Sequence, residues 1–288
     1  MATLEEYLPS RGFPFGLTRE TQHAYDIPLP SEIERRHLHY QPILWRGIEG
    51  QEDEVTFEQF LRYPGHNALD LIKQFHESGV GEQAEFAIFR QVCEQLTMWE
   101  QENGITPTIG VNFAPVHFGR HGIYPSSADM FVRMVGRTME ETGINPAQLE
   151  IEITEYSAMV NKYEAAQAML ALKAMGLHIK ADDVGLDFHS DIDGVLELPY
   201  DTIKLDESFS KDIETDSAKQ AQVCAIVDKA HAKGMTVVAE KVDTQGKLRF
   251  FDEVAGCDGF QGWLFSAAVP ADMVNSELYD TVIARGRL

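Results

Sequence analysis

The feature that most limits how this chain can fold is a repeated order along it: a short run rich in Val, Ile, Leu and Phe, a helical pattern, then another short run. Eight such runs are legible, over residues 37–44, 55–62, 108–113, 149–154, 178–183, 202–206, 236–240 and 259–265. Helical periodicity fills most of the gaps, over 84–102, 128–142, 163–175, 218–233 and 245–255. Thr142-Gly143, Met175-Gly176 and Lys233-Gly234 stand where helices should stop, because glycine closes a helix in the left-handed conformation at little cost. Strands that alternate with helices pair in parallel through crossover connections. The simplest closed solution is an α/β fold, a TIM-like (β/α)8 barrel; an open doubly wound sheet is the alternative. Only about ten residues join the first two runs, too few for a helical crossover. That pair is expected to be antiparallel, so the barrel has an irregular, partly antiparallel first strand.

A barrel of this kind accommodates all 288 residues in one domain. The proline-punctuated stretch 1–36, with Pro9, Pro14, Pro28 and Pro30, is expected to be an N-terminal arm, and 37–288 the barrel. Acidic residues number 46 against 24 basic ones, a formal charge of −22 that repels nucleic acid polymers and anionic lipid. Cys93, Cys224 and Cys257 are far apart and form no CxxC pair, which argues against a disulfide scaffold or a zinc site. The first residues lack the basic-then-apolar order of a signal peptide, and no apolar run is long enough to span a bilayer. A cytoplasmic location without membrane insertion is the expectation. The histidines form no HExxH-like motif and are expected at the surface or in packing, with His189 the one to watch. Phe86, Phe89, Val92 and Leu96 recur at helical spacing and are expected in the core.

The strand ends carry the chemistry. In α/β barrels the site forms where strands finish and their following loops begin. Here Glu58, Asn112, Glu152, Asp182, Asp183, Lys204, Asp206, Glu240 and Gln261 fall in or at the ends of seven successive runs that are otherwise apolar. An isolated ionised carboxylate inside a barrel is costly unless it is paired or bound to a cation. Any one of these residues alone could be a solvated strand end or a helix cap; the repetition across seven strands points to convergence. Oxygen donors without a Cys or His cluster suit Mg²⁺, Mn²⁺ or Ca²⁺. Lys204 either balances charge among the acids or orients and deprotonates a water, and both roles need it close to them.

These segments together resemble the EAL family of cyclic di-GMP phosphodiesterases over roughly residues 37–275. Tyr40-Gln41-Pro42-Ile43 is similar to the family's YQPI, and Glu58-Gln59-Phe60-Leu61-Arg62 to its EALLR. Val111-Asn112-Phe113-Ala114 resembles VNLS, and residues 149–155, LEIEITE, resemble LELEITE. Asp182-Asp183-Val184-Gly185 resembles DDFG, and Ile203-Lys204-Leu205-Asp206 resembles IKID. Residues 239–244, AEKVDT, are similar to AEGVET, and 261–266, QGWLFS, to QGYLFS.

The resemblance implies a two-metal phosphodiesterase. Glu58, Asn112, Glu152 and Asp182 would hold one Mg²⁺ or Mn²⁺, Asp182 with Asp183 would reach a second, and Ca²⁺ would be an inhibitory substitute. Lys204, Glu240 and Glu58 would serve catalysis. Gln41, Arg62, Asp206 and Gln261 would contact substrate, and Glu155 would brace the loop after Asp183. The substrate would be cyclic di-GMP, the product linear pGpG, and a homodimer compatible with the family. Three departures stand out. Gln59-Phe60 replaces Ala-Leu, Asp187 stands where the DDFGTGYSS-like loop has glycine, and Lys241 and Asp243 replace the glycine and glutamate of AEGVET. Non-catalytic members that bind the nucleotide, or only protein partners, are the alternative.

Overall fold

The computed structural model describes residues 28–47, 51–118, 127–154, 161–185 and 192–287. Eight strands close into a barrel: β1 (Leu38–Trp45), β2 (Glu54–Leu61), β3 (Ile109–Phe113), β4 (Leu149–Ile153), β5 (His178–Val184), β6 (Thr202–Leu205), β7 (Thr236–Ala239) and β8 (Gly259–Gln261). From β2 to β8 every neighbouring pair is parallel, and β1 closes the ring antiparallel to both β2 and β8. The open-sheet alternative is thereby excluded, and the expected first hairpin is present. A two-residue strand, β9 (Val269–Pro270), adds to the outer end of β1.

The main helices are α1 (Ala68–Glu77), α2 (Gly81–Asn103), α3 (Ser127–Thr142), α4 (Lys162–Ala174), α5 (Ser217–Ala232) and α6 (Ser276–Gly286). Gly143, Gly176 and Gly234 all adopt positive φ at helix stops, as expected. Asn161 and Asp216 cap α4 and α5 by accepting backbone N–H bonds with their side chains. Phe89, Val92 and Leu96 of α2 are buried, with Phe86 packed against them.

The structure corrects several boundaries. Helices α1 and α6 have no counterpart among the expected ones. Helix α1 is short and buries only Leu71 and Phe75 while Leu69 is 82% exposed, so few core residues mark it in the chain. Segment 245–255 starts as a short α-helix, Gln245–Arg249, and continues as a wider π-type turn, Phe250–Val254. The eighth strand stops at Gln261 rather than 265, because Gly262 lies so close to the Val242 backbone that a Cβ there would sit 2.1 Å from the Val242 carbonyl oxygen. Residues Arg35–His37 form a tight turn, so the first strand starts one residue late.

Two histidines take packing and hydrogen-bonding roles around one buried carboxylate. His117 is 2% exposed and stacks on Phe131. Its Nε2 bonds to the buried Glu85 carboxylate, which also bonds to His76 Nε2 at 2.8 Å. Burial alone would push the Glu85 carboxyl up, and the two imidazoles more than reverse that, holding it below the usual carboxylate range. Glu85 also accepts the Ala114 N–H just past β3, so this triad anchors the loop beside the strand ends.

Candidate metal and active site

The strand ends converge. Lys204, from β6 and almost wholly buried, points its ammonium into the barrel. Its Nζ lies 2.9 Å from Glu58 Oε2, 2.8 Å from Glu152 Oε2, 2.7 Å from Asp182 Oδ1 and 2.8 Å from Glu240 Oε1. Four strands thus deliver four carboxylates to one cation. Glu58 is held on both oxygens: Asn112 Nδ2 donates to Oε1 at 2.8 Å and Gln261 Nε2 to Oε2 at 2.9 Å.

Two groups of carboxylate oxygens lie within 4.8 Å of one another: Glu58, Glu152 and Asp182, and Asp182, Asp183 and Glu240. Asp182 belongs to both. Consecutive residues of a regular strand point to opposite faces, so Asp182 and Asp183 should diverge. The β5–β6 register shifts between Ala181 and Val184, and Asp183 takes a positive φ of 52°, a conformation Asp tolerates better than most residues. That irregularity turns both acids to the same rim. Gly185 is needed directly after it, since a Cβ there would stand 2.7 Å from Asp206 Cβ.

The donor set fits divalent cations. Among the described residues, the buried carboxylates Glu58, Glu150, Glu152, Asp182 and Glu240 pair with the ammoniums of Lys180 and Lys204, and when all of these are ionised an excess of negative charge remains, with Asp183 beside it. Two divalent ions neutralise that excess. Asn112 donates through its nitrogen, while its buried Oδ1 accepts no hydrogen bond. An orphaned buried oxygen of this kind is costly unless a cation or water meets it. All donors are hard oxygens, as Mg²⁺ or Mn²⁺ requires.

Electrostatics follow from crowding. Burial first, and neighbouring carboxylates after it, push Glu58, Asp182 and Glu240 each up to about 7, against the pull of Lys204. Burial would lower Lys204, but Asp182, Glu152, Glu240 and Glu58 hold it well above the usual lysine range. In the metal-free protein it is therefore a hydrogen-bond donor, which favours charge balance and orientation over proton abstraction.

A pH dependence follows. Three acids with raised folded pKa values bind more protons folded than unfolded, so their contribution to stability is greatest at low pH and lost as pH rises toward 7. In the presence of chelator, stability should fall by roughly 1–3 kcal/mol per pH unit between pH 6 and 7.5. Saturating Mn²⁺ should flatten that slope. Thermal unfolding across this window measures both, and equal slopes with and without the ion would contradict the crowding argument.

Lys241, just beyond β7, has φ of 52°. Among the described residues its side chain makes an exposed 3.6 Å pair with Glu207, which contributes little. Lys241→Gly is expected to stabilise the fold by about 0.5–1 kcal/mol, because glycine carries no Cβ penalty in the left-handed region. Urea unfolding with unchanged stability would contradict the assigned backbone strain.

The remaining expected site residues make the following contacts. Gln41 reaches the rim and donates to the Ser266 carbonyl at 3.1 Å. Arg62 is exposed; its guanidinium lies 5.3 Å from the Phe60 ring centroid and donates to the Leu61 carbonyl. Asp206 caps the helical turn Glu207–Ser210 by accepting the Ser208 N–H at 2.9 Å. Glu155, Asp187 and His189 lie outside the described residues. Lys180, Glu150 and Gly110 were missed, although each precedes a site residue by two on its strand, the period at which side chains share a face. Cys93, Cys224 and Cys257 are free thiols. Among the described residues no helix is long and apolar enough to cross a membrane.

The family model described as "EAL domain" matches residues 27–268. The chain belongs to the EAL domain family. Among its relatives is the bifunctional diguanylate cyclase/cyclic di-GMP phosphodiesterase MucR of Pseudomonas aeruginosa, 26% identical over 85% of this chain and 35% of that protein. The cyclic di-GMP phosphodiesterase NbdA of the same organism is 27% identical over 88% of this chain and 31% of its own length. The structure of PaMucR phosphodiesterase in complex with c-di-GMP superposes with a TM-score of 0.69 at 26% identity, covering 84% of this chain and 95% of that one. The chain spans 28% to 35% of the length of several curated relatives it matches.

Proposed function

We propose that this EAL domain hydrolyses cyclic di-GMP to linear pGpG in a reaction that depends on Mg²⁺ or Mn²⁺. The observation that carries the proposal is the convergence of four carboxylates on Lys204 beside the unpartnered Asn112 oxygen. Glu58, Asn112, Glu152 and Asp182 would hold one ion, and Asp182 with Asp183 the other. Such ions, when bound, lower the pKa of water and offset charge on the attacking and leaving oxygens. Lys204 donates hydrogen bonds and fixes the carboxylates around it. Glu58 and Glu240 would accept a proton, and Gln261, which donates to Glu58, would orient it. Arg62, freed from the Leu61 carbonyl, would meet a substrate phosphate, with Gln41, Asp206 and Gln261 as further substrate contacts. Glu155 would brace the loop after Asp183. The barrel, 37–288, is read as the catalytic unit of a cytoplasmic, homodimer-competent protein, with 1–36 as its arm.

Incubation of the purified protein with cyclic di-GMP, with Mg²⁺ or Mn²⁺ and with chelator, tests this directly. Ion-dependent appearance of pGpG is the expected result. Binding without turnover would make the domain a nucleotide receptor, and neither binding nor turnover would make it a protein-interaction module.

A further inference from the structure

Beneath the rim lies a second charged layer that the proposed chemistry does not use. Lys180 on β5 is fully buried, and its Nζ lies 2.5 Å from Glu150 Oε2 and 3.4 Å from Glu152 Oε1. It also stands 5.4 Å from the Trp45 ring centroid, which closes the barrel around it. In the β4–β5 ladder Lys180 is the direct partner of Glu152, so the contact is set by backbone register and not by a flexible reach. The two oxygens of Glu152 are therefore divided. Oε2 lies 2.8 Å from Lys204 Nζ, the same ammonium that meets Glu58 Oε2 and Asp182 Oδ1, while Oε1 turns toward Lys180. The space for that turn comes from Gly110 on β3, where a Cβ would fall 2.0 Å from Glu152 Oε1.

We propose that Lys180, with Glu150 as its counter-ion and Gly110 as its clearance, is a positioning residue that restrains Glu152 to offering a single oxygen to the cation site. This rests on the metal-binding reading above. A carboxylate held to one oxygen suits Mg²⁺, which takes six ligands in tight octahedral geometry. Ca²⁺ takes six to eight at longer range, commonly with both oxygens of a carboxylate. Lys180 thus sets selectivity by occupying the second oxygen. Its ammonium, one layer below, also carries away part of the negative charge that would attract any divalent ion without discrimination.

The test compares equilibrium affinities for Mg²⁺ and Ca²⁺, measured by calorimetry on the whole chain without nucleotide. Removing Lys180 alone would strand Glu150, so the variant is Glu150→Gln with Lys180→Met, which removes the buried pair together. The Ca²⁺-to-Mg²⁺ affinity ratio is expected to rise about tenfold, the scale on which groups that orient a ligand act. Glu150→Gln alone keeps Lys180 on Glu152 and should retain the wild-type ratio. A purely packing role would weaken both ions alike and leave the ratio unchanged. An unchanged ratio in the double variant, or an equal rise in Glu150→Gln alone, overturns the proposal. If the double variant unfolds, Gly110→Ala gives the answer independently: its Cβ drives Oε1 from its seat, and an unchanged ratio there also overturns it. Failure of the wild-type protein to bind either ion would refute the metal reading itself, a distinct outcome.

Discussion

Asp182→Ala is expected to lower cyclic di-GMP turnover by roughly 10³-fold or more, the scale of losing a group that acts on the reacting centre. Asp182 is the only described residue common to both acidic groups, so its loss weakens both candidate ion sites together. The fold should not suffer. In the metal-free protein this carboxyl is buried among Glu240, Asp183 and Glu152 and is pushed up to about 7 by desolvation and then by those neighbours, with Lys204 opposing. Deleting it relieves crowding, so thermal stability in chelator should match or exceed that of the wild type. Steady-state rates and unfolding curves on one preparation make the comparison. Turnover within threefold of wild type would refute the ligand assignment. Lost turnover with a collapsed melting point would assign the effect to misfolding.

Lys204→Met carries the largest expected change in stability. The lysine neutralises carboxylates that four strands bury in the barrel, and without it they are left uncompensated. Breaking a buried charge network by removing one partner costs about 3–5 kcal/mol. Divalent ions can take over that neutralisation, so millimolar Mn²⁺ should return most of the lost stability while turnover stays low. Urea unfolding with Mn²⁺ and with chelator separates the two contributions. A variant that loses stability equally under both conditions would show that Lys204 supports the barrel by packing and not by charge.

Strand ends were legible because apolar runs punctuated by a single carboxylate or amide are unusual in a barrel wall. Glu58, Asn112, Glu152, Asp182, Lys204 and Gln261 could therefore be selected without coordinates. Lys180 and Glu150 escaped because a lysine and a glutamate at strand positions read as solvent-facing until a closed barrel makes that face interior. His76, Glu85 and His117 escaped because they come from separate elements, α1, α2 and the turn after β3, and no local spacing links them. The bonds of Arg62 to the Leu61 carbonyl and of Asp206 to the Ser208 N–H are local contacts that the motifs alone do not specify.

The amino-acid order alone determined the eight strands, the reversed first hairpin and which residues stand at the strand ends, since periodicity and loop length act locally. Tertiary structure decided where those side chains point. The register shift with Asp183 at φ 52° brings adjacent acids to one rim, and β4–β5 pairing divides the two oxygens of Glu152 between Lys204 and Lys180. Such choices depend on strand register, barrel closure and the balance of buried charge, all of which come into being when distant segments meet.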